Sequence, residues 1–421
     1  AVGYKALTTN TTGDYLTAVG YNALELNTTG NKNTSFGYKS LEDNTTASFN
    51  TAVGYIALNS NTTGAENTAV GANALTTNST GSYNIAMGVN ALEDNTASNN
   101  TAVGYKALEG NTTGTRNTSV GRSSLAANTT GSLLTALGFG ALANSTTAID
   151  NTAVGYEALN SNTTGNQNVG VGASALESNT TAAGNTAVGY RALTTNTTAT
   201  RHTAIGFKAL EANTAADDNT AVGYAALQAN TTGQNNTSCG SESLKSNTTG
   251  AQNTAVGTEA MEQNTTATGN TAVGYEALRD NTTAVRHVAV GYGALRANTT
   301  GNDNTAAGYF ALAVNTTGAE NTAVGGYALD ANTTGTENVA VGYYALTEAE
   351  QASYNTAVGR SALQKSTTAQ YNTAVGYLAL QDNTTGGNNV AVGYKALSNN
   401  TTAAGNVAIG REAMLTNVTG H

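Results

Sequence analysis

Proline and tryptophan are absent from the 421 residues, cysteine occurs once, histidine three times, and only 10% of the side chains are charged. Each scarcity closes off a class of protein. A chain without proline withholds no backbone N–H, as pairing in β-ladders along its whole length requires. The single cysteine, Cys239, permits no intrachain disulfide and leaves the redox compartment open. The histidines are His202, His287 and His421; the first two stand five repeats apart, about 24 Å at β-ladder spacing, and cannot share a metal ion. The 17 Lys and Arg residues are scattered through a chain of net charge -10, so nucleic acid, which needs clustered cations, is not expected as a partner. No run is long and apolar enough for membrane insertion as a helix, and no signal peptide is visible.

What is present is a period. A glycine recurs every seventeen residues in the frame Asn-Thr-Ala-Val-Gly-Tyr-x-Ala-Leu-x-x-Asn-Thr-Thr-Gly-x-x, from Gly3 through Gly54 and Gly71 to Gly410. There are 25 such glycines, and one repeat alone, between Gly88 and Gly104, has sixteen residues. No linker, charge block or composition shift interrupts the series, so residues 1–421 read as one continuous repeat domain, a stack of short units. The chain starts inside a repeat with Ala1 and lacks an initiating Met, as expected of a processed product or a segment of something longer.

With slots numbered from the first Asn of the frame, substitution limits assign each slot an environment. Slot 4 takes only apolar residues (Val53, Val70, Phe36, Met87, Ile205, Cys239) and is expected in a core, with Cys239 as a small buried side chain. Slot 9 is Leu (Leu58, Leu75) except at Met261 and Met414, and forms the second expected core column. Slots 3 and 8 accept only Ala, Ser or Gly, which implies another backbone close by. Slot 5 refuses even Ala, so Gly54, Gly71 and their equivalents need a positive φ or a space without a Cβ. Slot 15 is Gly or Ala and does not. Slot 7 varies freely, as in solvent, and slot 6 is mostly Tyr but also Arg122 and Arg360, hence at least partly exposed.

Seventeen residues are too few for two helices with their turns, and a mid-helix Gly in every repeat would cost about 1 kcal/mol each. The expected fold is all-β: a parallel β-solenoid or β-roll of 25 coils, with one strand over slots 2–4, a second over slots 6–9, and a polar corner over slots 12–15. Stacked at β-ladder spacing these coils form a shaft roughly 120 Å long.

Two asparagine columns remain, at slots 1 and 12. Stacked amides can hydrogen-bond along a column. Slot 12 also carries N-glycosylation acceptor triplets on what should be an exposed turn: Asn10, Asn27, Asn44, Asn61, Asn78, Asn111, Asn128, Asn162, Asn179, Asn196, Asn230, Asn247, Asn264, Asn281, Asn298, Asn315, Asn332, Asn383, Asn400 and Asn417, with Asn144 displaced by one residue. The slot-12 turn is accordingly expected outside the core, as the place where the protein meets its surroundings.

The Ala52-Val53-Gly54-Tyr55-Ile56-Ala57 and Ala204-Ile205-Gly206-Phe207-Lys208-Ala209 segments resemble the head repeats of trimeric autotransporter adhesins and related phage and virus tail-fibre shafts. The resemblance runs through all 25 repeats and implies a left-handed parallel β-roll assembled as a homotrimer; the seventeen-residue period and the extra Leu depart from it. No catalytic residue, metal ligand or cofactor-binding motif is found, which argues for a non-enzyme. The expected role is a structural component of an extracellular fibre, at a cell or virion surface, whose partner is itself as a homotrimer or head-to-tail polymer. An adhesin segment binding surface glycans is the alternative. An ice-binding solenoid is disfavoured, because the paired Thr of slots 13 and 14 diverge on a turn.

Overall fold

The computed structural model describes residues 1–418, so His421 and the last residue of the Asn417 acceptor triplet lie outside the described residues. The chain forms two compact units, Ala1–Lys208 and Ala209–His421. The first holds strands β1 (Thr17–Val19) to β12 (Thr203–Ile205), the second β13 (Thr220–Val222) to β24 (Val407–Ile409). Every strand is three residues long and occupies slots 2–4 of its repeat; Gly3 belongs to a coil represented only by the Val2–Val19 bridge. Both units are parallel β-solenoids, and no helix occurs among the described residues.

Pairing within each unit is parallel and in register, one repeat to the next. Thr51, Ala52 and Val53 lie opposite Thr68, Ala69 and Val70, and Thr254, Ala255 and Val256 lie opposite Thr271, Ala272 and Val273. Like therefore stacks on like. The short repeat keeps this register, with Ile85 of β5 (Ile85–Met87) opposite Thr101 of β6 (Thr101–Val103). Its missing residue has been taken from the corner after Asn95, whose side chain donates to the Ala97 carbonyl at 2.8 Å where other coils reach one residue further.

The alternation of a strand decides which slots face inward. Slot 3 points into the coil: Ala18, Ala52, Ala69 and Ser35 are fully buried. A Cβ added to Gly170 would sit 3.3 Å from the Leu159 side chain, so slot 3 is small because slot 9 of the coil below fills the space. Slots 2 and 4 must then point outward. The expectation that slot 4 lines the core is thus overturned: Val53 and Val70 are only half-buried, Phe36 is 55% exposed, and Cys239 is exposed rather than buried. The large apolar side chain that remains inside is the slot-9 Leu, with Leu58 and Leu75 fully buried, joined at slot 1 by Leu134. Burial of the slot-9 Leu stabilises each coil by about 1.5–3 kcal/mol.

The second expected strand is also absent. Slots 6–9 form a chain of turns in which slots 7 and 9 take left-handed backbone, as at Ile56 (φ 47), Leu58 (φ 51), Asn73 (φ 56) and Leu75 (φ 56). Alternating handedness flips successive peptide planes, so neighbouring N–H groups serve opposite neighbours. Ile56 donates back to Tyr38 O at 2.8 Å and Leu58 donates forward to Ala74 O at 2.9 Å. A non-glycine residue in this region costs roughly 1–2 kcal/mol, which consumes much of what the Leu contributes. Hydrogen bonds along the stack supply the rest.

Gly54 has φ +140, and a Cβ there would collide with the carbonyl of Gly71 in the next coil. Both causes foreseen for slot 5 operate at once. Slot-15 glycines such as Gly30 and Gly64 have no positive φ, consistent with the Ala found there in other repeats.

Candidate functional site: the outward columns

The interior of each coil is polar as well as apolar, and this settles which asparagines can meet anything outside. Asn61 Nδ2 donates to Asn44 Oδ1 at 2.9 Å and to Gly64 O at 2.9 Å, so both amide hydrogens are engaged. Asn50 of the slot-1 column donates to the same Gly64 O at 2.9 Å, while its Oδ1 accepts the backbone N–H of Asn67 at 2.9 Å. Two columns thus converge on one carbonyl per coil. The slot-12 asparagines from Asn27 to Asn400 are completely buried, so the expectation of an exposed, glycan-bearing turn at slot 12 is corrected to an internal amide ladder. Among the acceptor residues named from sequence, Asn144 alone is exposed; Asn10 and Asn417 are half-buried. Sequence reading missed acceptor triplets beginning at Asn99, Asn235 and Asn399, whose asparagines are exposed. Scanning all slots for Asn-x-Thr, not only slot 12, would have found them.

Where the slot-12 ladder loses its donor, an orphan remains. Asn128 is followed by Ser145 and Asn332 by Ala349 one repeat on, and both Asn128 Oδ1 and Asn332 Oδ1 are buried without a partner, as is the Ser145 hydroxyl. At slot 1, His287 replaces Asn successfully: its Nδ1 accepts the Asn304 N–H at 3.2 Å, in the role of the usual Oδ1. Burial drives the ring from its ordinary 6.5 down to about 4. A second internal pairing escaped sequence reading although it was visible there. Serine appears at slot 3 only where slot 8 is also serine, at Ser35 with Ser40, Ser119 with Ser124, and Ser238 with Ser243, and each pair is hydrogen-bonded inside the coil.

Outside, three sets of columns face the surroundings. Slots 2 and 4 present β-branched and apolar side chains from every strand, Thr68 and Val70 for example, with no charge at either slot in any repeat. Beside them runs the slot-6 column, exposed as expected, in which Tyr4, Tyr21, Tyr38 and Tyr55 stack at 5.0–5.3 Å. Slots 7 and 10 form a charged border. Lys39 pairs with Glu42 at 3.1 Å, and Lys5 reaches Glu25 on the next coil at 3.1 Å. Burial pushes the Glu42 carboxyl up, but hydrogen bonds from Asn22, Asn59 and Lys39 outweigh it and hold it below its ordinary value.

One stretch of this border is aromatic. Phe310, Tyr327 and Tyr344 occupy slot 7 in three consecutive coils, the only aromatics at that slot, and crowd against Tyr292, Tyr309 and Tyr343 of slot 6. Tyr309 and Phe310 meet edge to face at 4.7 Å, and Tyr343 and Tyr344 at 4.2 Å. Asp330, at slot 10 among them, is half-buried with an unpartnered Oδ1, and loss of solvent raises it to about 6. Elsewhere among the described residues, no group of three His, Cys, Asp or Glu side chains is assembled.

Fold and columns together define a repeat protein of the parallel β-solenoid class. No protein-family model matches the chain, and no curated protein is significantly similar to it.

Proposed function

We propose that this protein is a structural shaft element of an extracellular fibre, at a cell or virion surface, and not an enzyme. The observation that carries this reading is how the recurring residues are used. Gly at slot 5, Leu at slot 9, the small residues at slots 3 and 8 and both asparagine columns are consumed by bonding one coil to the next. Residues so employed give length and stiffness and leave side chains outside for display.

The outward slots 2 and 4 also support association with further copies of the chain, in line with the homotrimer that the adhesin-type resemblance implies. An uncharged stripe, apolar at slot 4 and mostly Thr at slot 2, that repeats coil after coil is the kind of outward surface that marks an association site. Its ladder spacing matches that of an identical copy laid alongside. Native mass spectrometry is expected to give three chains, and Val53→Lys with Val120→Lys and Val188→Lys to give one, because these side chains point away from the core and the fold tolerates the change. Compact globules in electron micrographs would overturn the shaft reading, and a wild-type monomer would overturn the trimer.

One observation favours a second reading. A regularly spaced Thr column of the kind ice binding requires is offered by slot 2 and not by slots 13 and 14: Thr34, Thr51 and Thr68 stack in register on the strand face. Thermal hysteresis of the purified protein tests it, and freezing without hysteresis removes it.

A further inference from the structure

The aromatic cluster around Tyr327 is the one outward surface that the stacking of coils does not explain. Coils stack equally well with Lys39, Glu157 or Ser123 at slot 7, so nothing in the fold calls for aromatic rings there. Nor is the substitution cheap. In some coils a slot-10 acid finds a slot-7 cation, as Glu42 finds Lys39 and Glu25 finds Lys5. Asp330 instead lies three residues from Tyr327 and one repeat beyond Phe310, with its Oδ1 unpartnered and its charge disfavoured by burial. Three consecutive aromatics at a slot that carries none elsewhere, beside a carboxylate held at a cost, are the mark of a function grafted onto a scaffold.

Ring geometry says what the surface can accept. In the regular slot-6 column the rings stack face to face and cover one another, as Tyr38 covers Tyr55 with an interplanar angle of 10°. In the cluster the slot-6 and slot-7 rings stand at 76° for Tyr292 with Phe310, 80° for Tyr309 with Phe310 and 73° for Tyr309 with Tyr327. Within each slot the rings still stack, Tyr292 between Tyr275 and Tyr309 and Tyr327 between Phe310 and Tyr344, but Gly326 leaves slot 6 without a ring between Tyr309 and Tyr343, whose faces toward that gap have no slot-6 partner. Glycines open the room for the edge-to-face contacts: Phe310 lies over the bare Cα of Gly293, and Tyr343 leans to 3.3 Å from where a Gly326 Cβ would be. Tyr292, Tyr309 and Tyr343 remain 44–49% exposed.

Charge selects among ligands that stack on aromatic faces. A quaternary ammonium group is disfavoured, because cations already hold the flanks: Arg296 stands 5.7 Å from the Phe310 centroid and Arg360 5.8 Å from that of Tyr343. The Arg296 Nε is a buried donor without a partner. Apolar ring faces bordered by guanidinium donors suit a pyranose, whose C–H face stacks while its hydroxyl or carboxylate oxygens accept hydrogen bonds. We propose that Tyr292, Tyr309, Phe310, Tyr327, Tyr343 and Tyr344 form a binding surface for pyranose residues of a glycan, with Arg296 and Arg360 as its polar border.

The inference goes beyond the shaft reading and stands whether or not copies associate. Its test is an oligosaccharide array carrying neutral hexose chains and their sialylated or uronate-bearing counterparts, followed by titration of the best ligand in solution on tyrosine fluorescence, unobscured because tryptophan is absent. The comparison protein is F310S/Y327K/Y344E, which installs slot-7 residues found in other coils and gives Asp330 a cation three residues away, as Lys39 serves Glu42. Thermal melts of variant and parent, followed by circular dichroism, are compared first; with equal melting a loss of binding reports recognition, and Y327K alone, which keeps the other rings, serves as the second comparison if the triple variant melts lower. At least tenfold weaker binding by the variant is expected, on the neutral arm if stacking dominates and on the acidic arm if the arginines add to it. Failure of the parent to bind any sugar, retention on a choline resin in place of sugars, or equal binding by the variant would each overturn the proposal.

Discussion

At the scale of single residues, the interior of the coil admits changes only in matched sets. Ser35 and Ser40 share a hydrogen bond inside the coil, and the usual Ala-Ala pair fills the same space without one. Replacing both serines is therefore expected to be nearly neutral, while S35A or S40A alone costs on the order of 1 kcal/mol, a coupling that a double-mutant cycle in urea would measure. The two perturbed titrations act with opposite signs. His287 is held neutral with its ring pushed down to about 4, so its contribution is whole above the ordinary 6.5 and is lost as pH falls toward 4. Asp330 is pushed up to about 6, so the folded state holds a proton the unfolded chain has released, and stability falls as pH rises from about 4 through 6. Asn at slot 10 donates instead to the slot-7 carbonyl of the coil below, as Asn59 does to Lys39 O at 2.8 Å. D330N should accordingly raise the melting temperature at pH 7.5, with the gain vanishing near pH 4.

At the scale of the element, one ladder can be mended. Asn128 Oδ1 and the Ser145 hydroxyl are both unpartnered because the slot-12 column loses its amide there. S145N should restore the Nδ2 to Oδ1 bond seen between Asn61 and Asn44 and stabilise the protein by roughly 0.5–1.5 kcal/mol, read as a shift in the urea midpoint. G54A should do the reverse by several kcal/mol, since it meets both a forbidden φ and the Gly71 carbonyl. Legibility in the sequence divides along the same line. Slot 5, slot 9 and the small slots 3 and 8 declared their surroundings because each sits where only one size fits. Slot 4 misled: Val53 accepts only apolar replacements, and an outward apolar stripe filters substitutions just as a core does. The turns over slots 6–9 could not be read at all, since Leu58 at φ 51 runs against its own preference and leaves no compositional mark. Asn61 was read correctly as a ladder and wrongly as exposed, because the triplet that marks a glycan acceptor is the same one that builds the ladder.

At the scale of the whole molecule, charge collects at slots 7, 10, 11, 16 and 17, with Arg122, Arg360 and Arg411 at slot 6 and Glu350 at slot 13, while slots 2 and 4 are neutral in every repeat. An assembly joined through slots 2 and 4 should therefore hold the same native mass from low salt to about 1 M, where exposed ion pairs are screened within a few Å. A fall to single chains at high salt would place the seam on the charged border instead. In-register pairing has one more consequence, and it concerns heredity. Each coil bonds only to the coil before and the coil after, through identical slots, so excising seventeen codons rejoins two surfaces that already fit. Such an event is silent to folding, and the sixteen-residue repeat ending at Gly104 shows that even a miscount is absorbed if it falls at the corner after Asn95. Coil number is thus counted, not folded: it can drift between generations in steps of one coil, each adding about 4.8 Å of stack to its own unit.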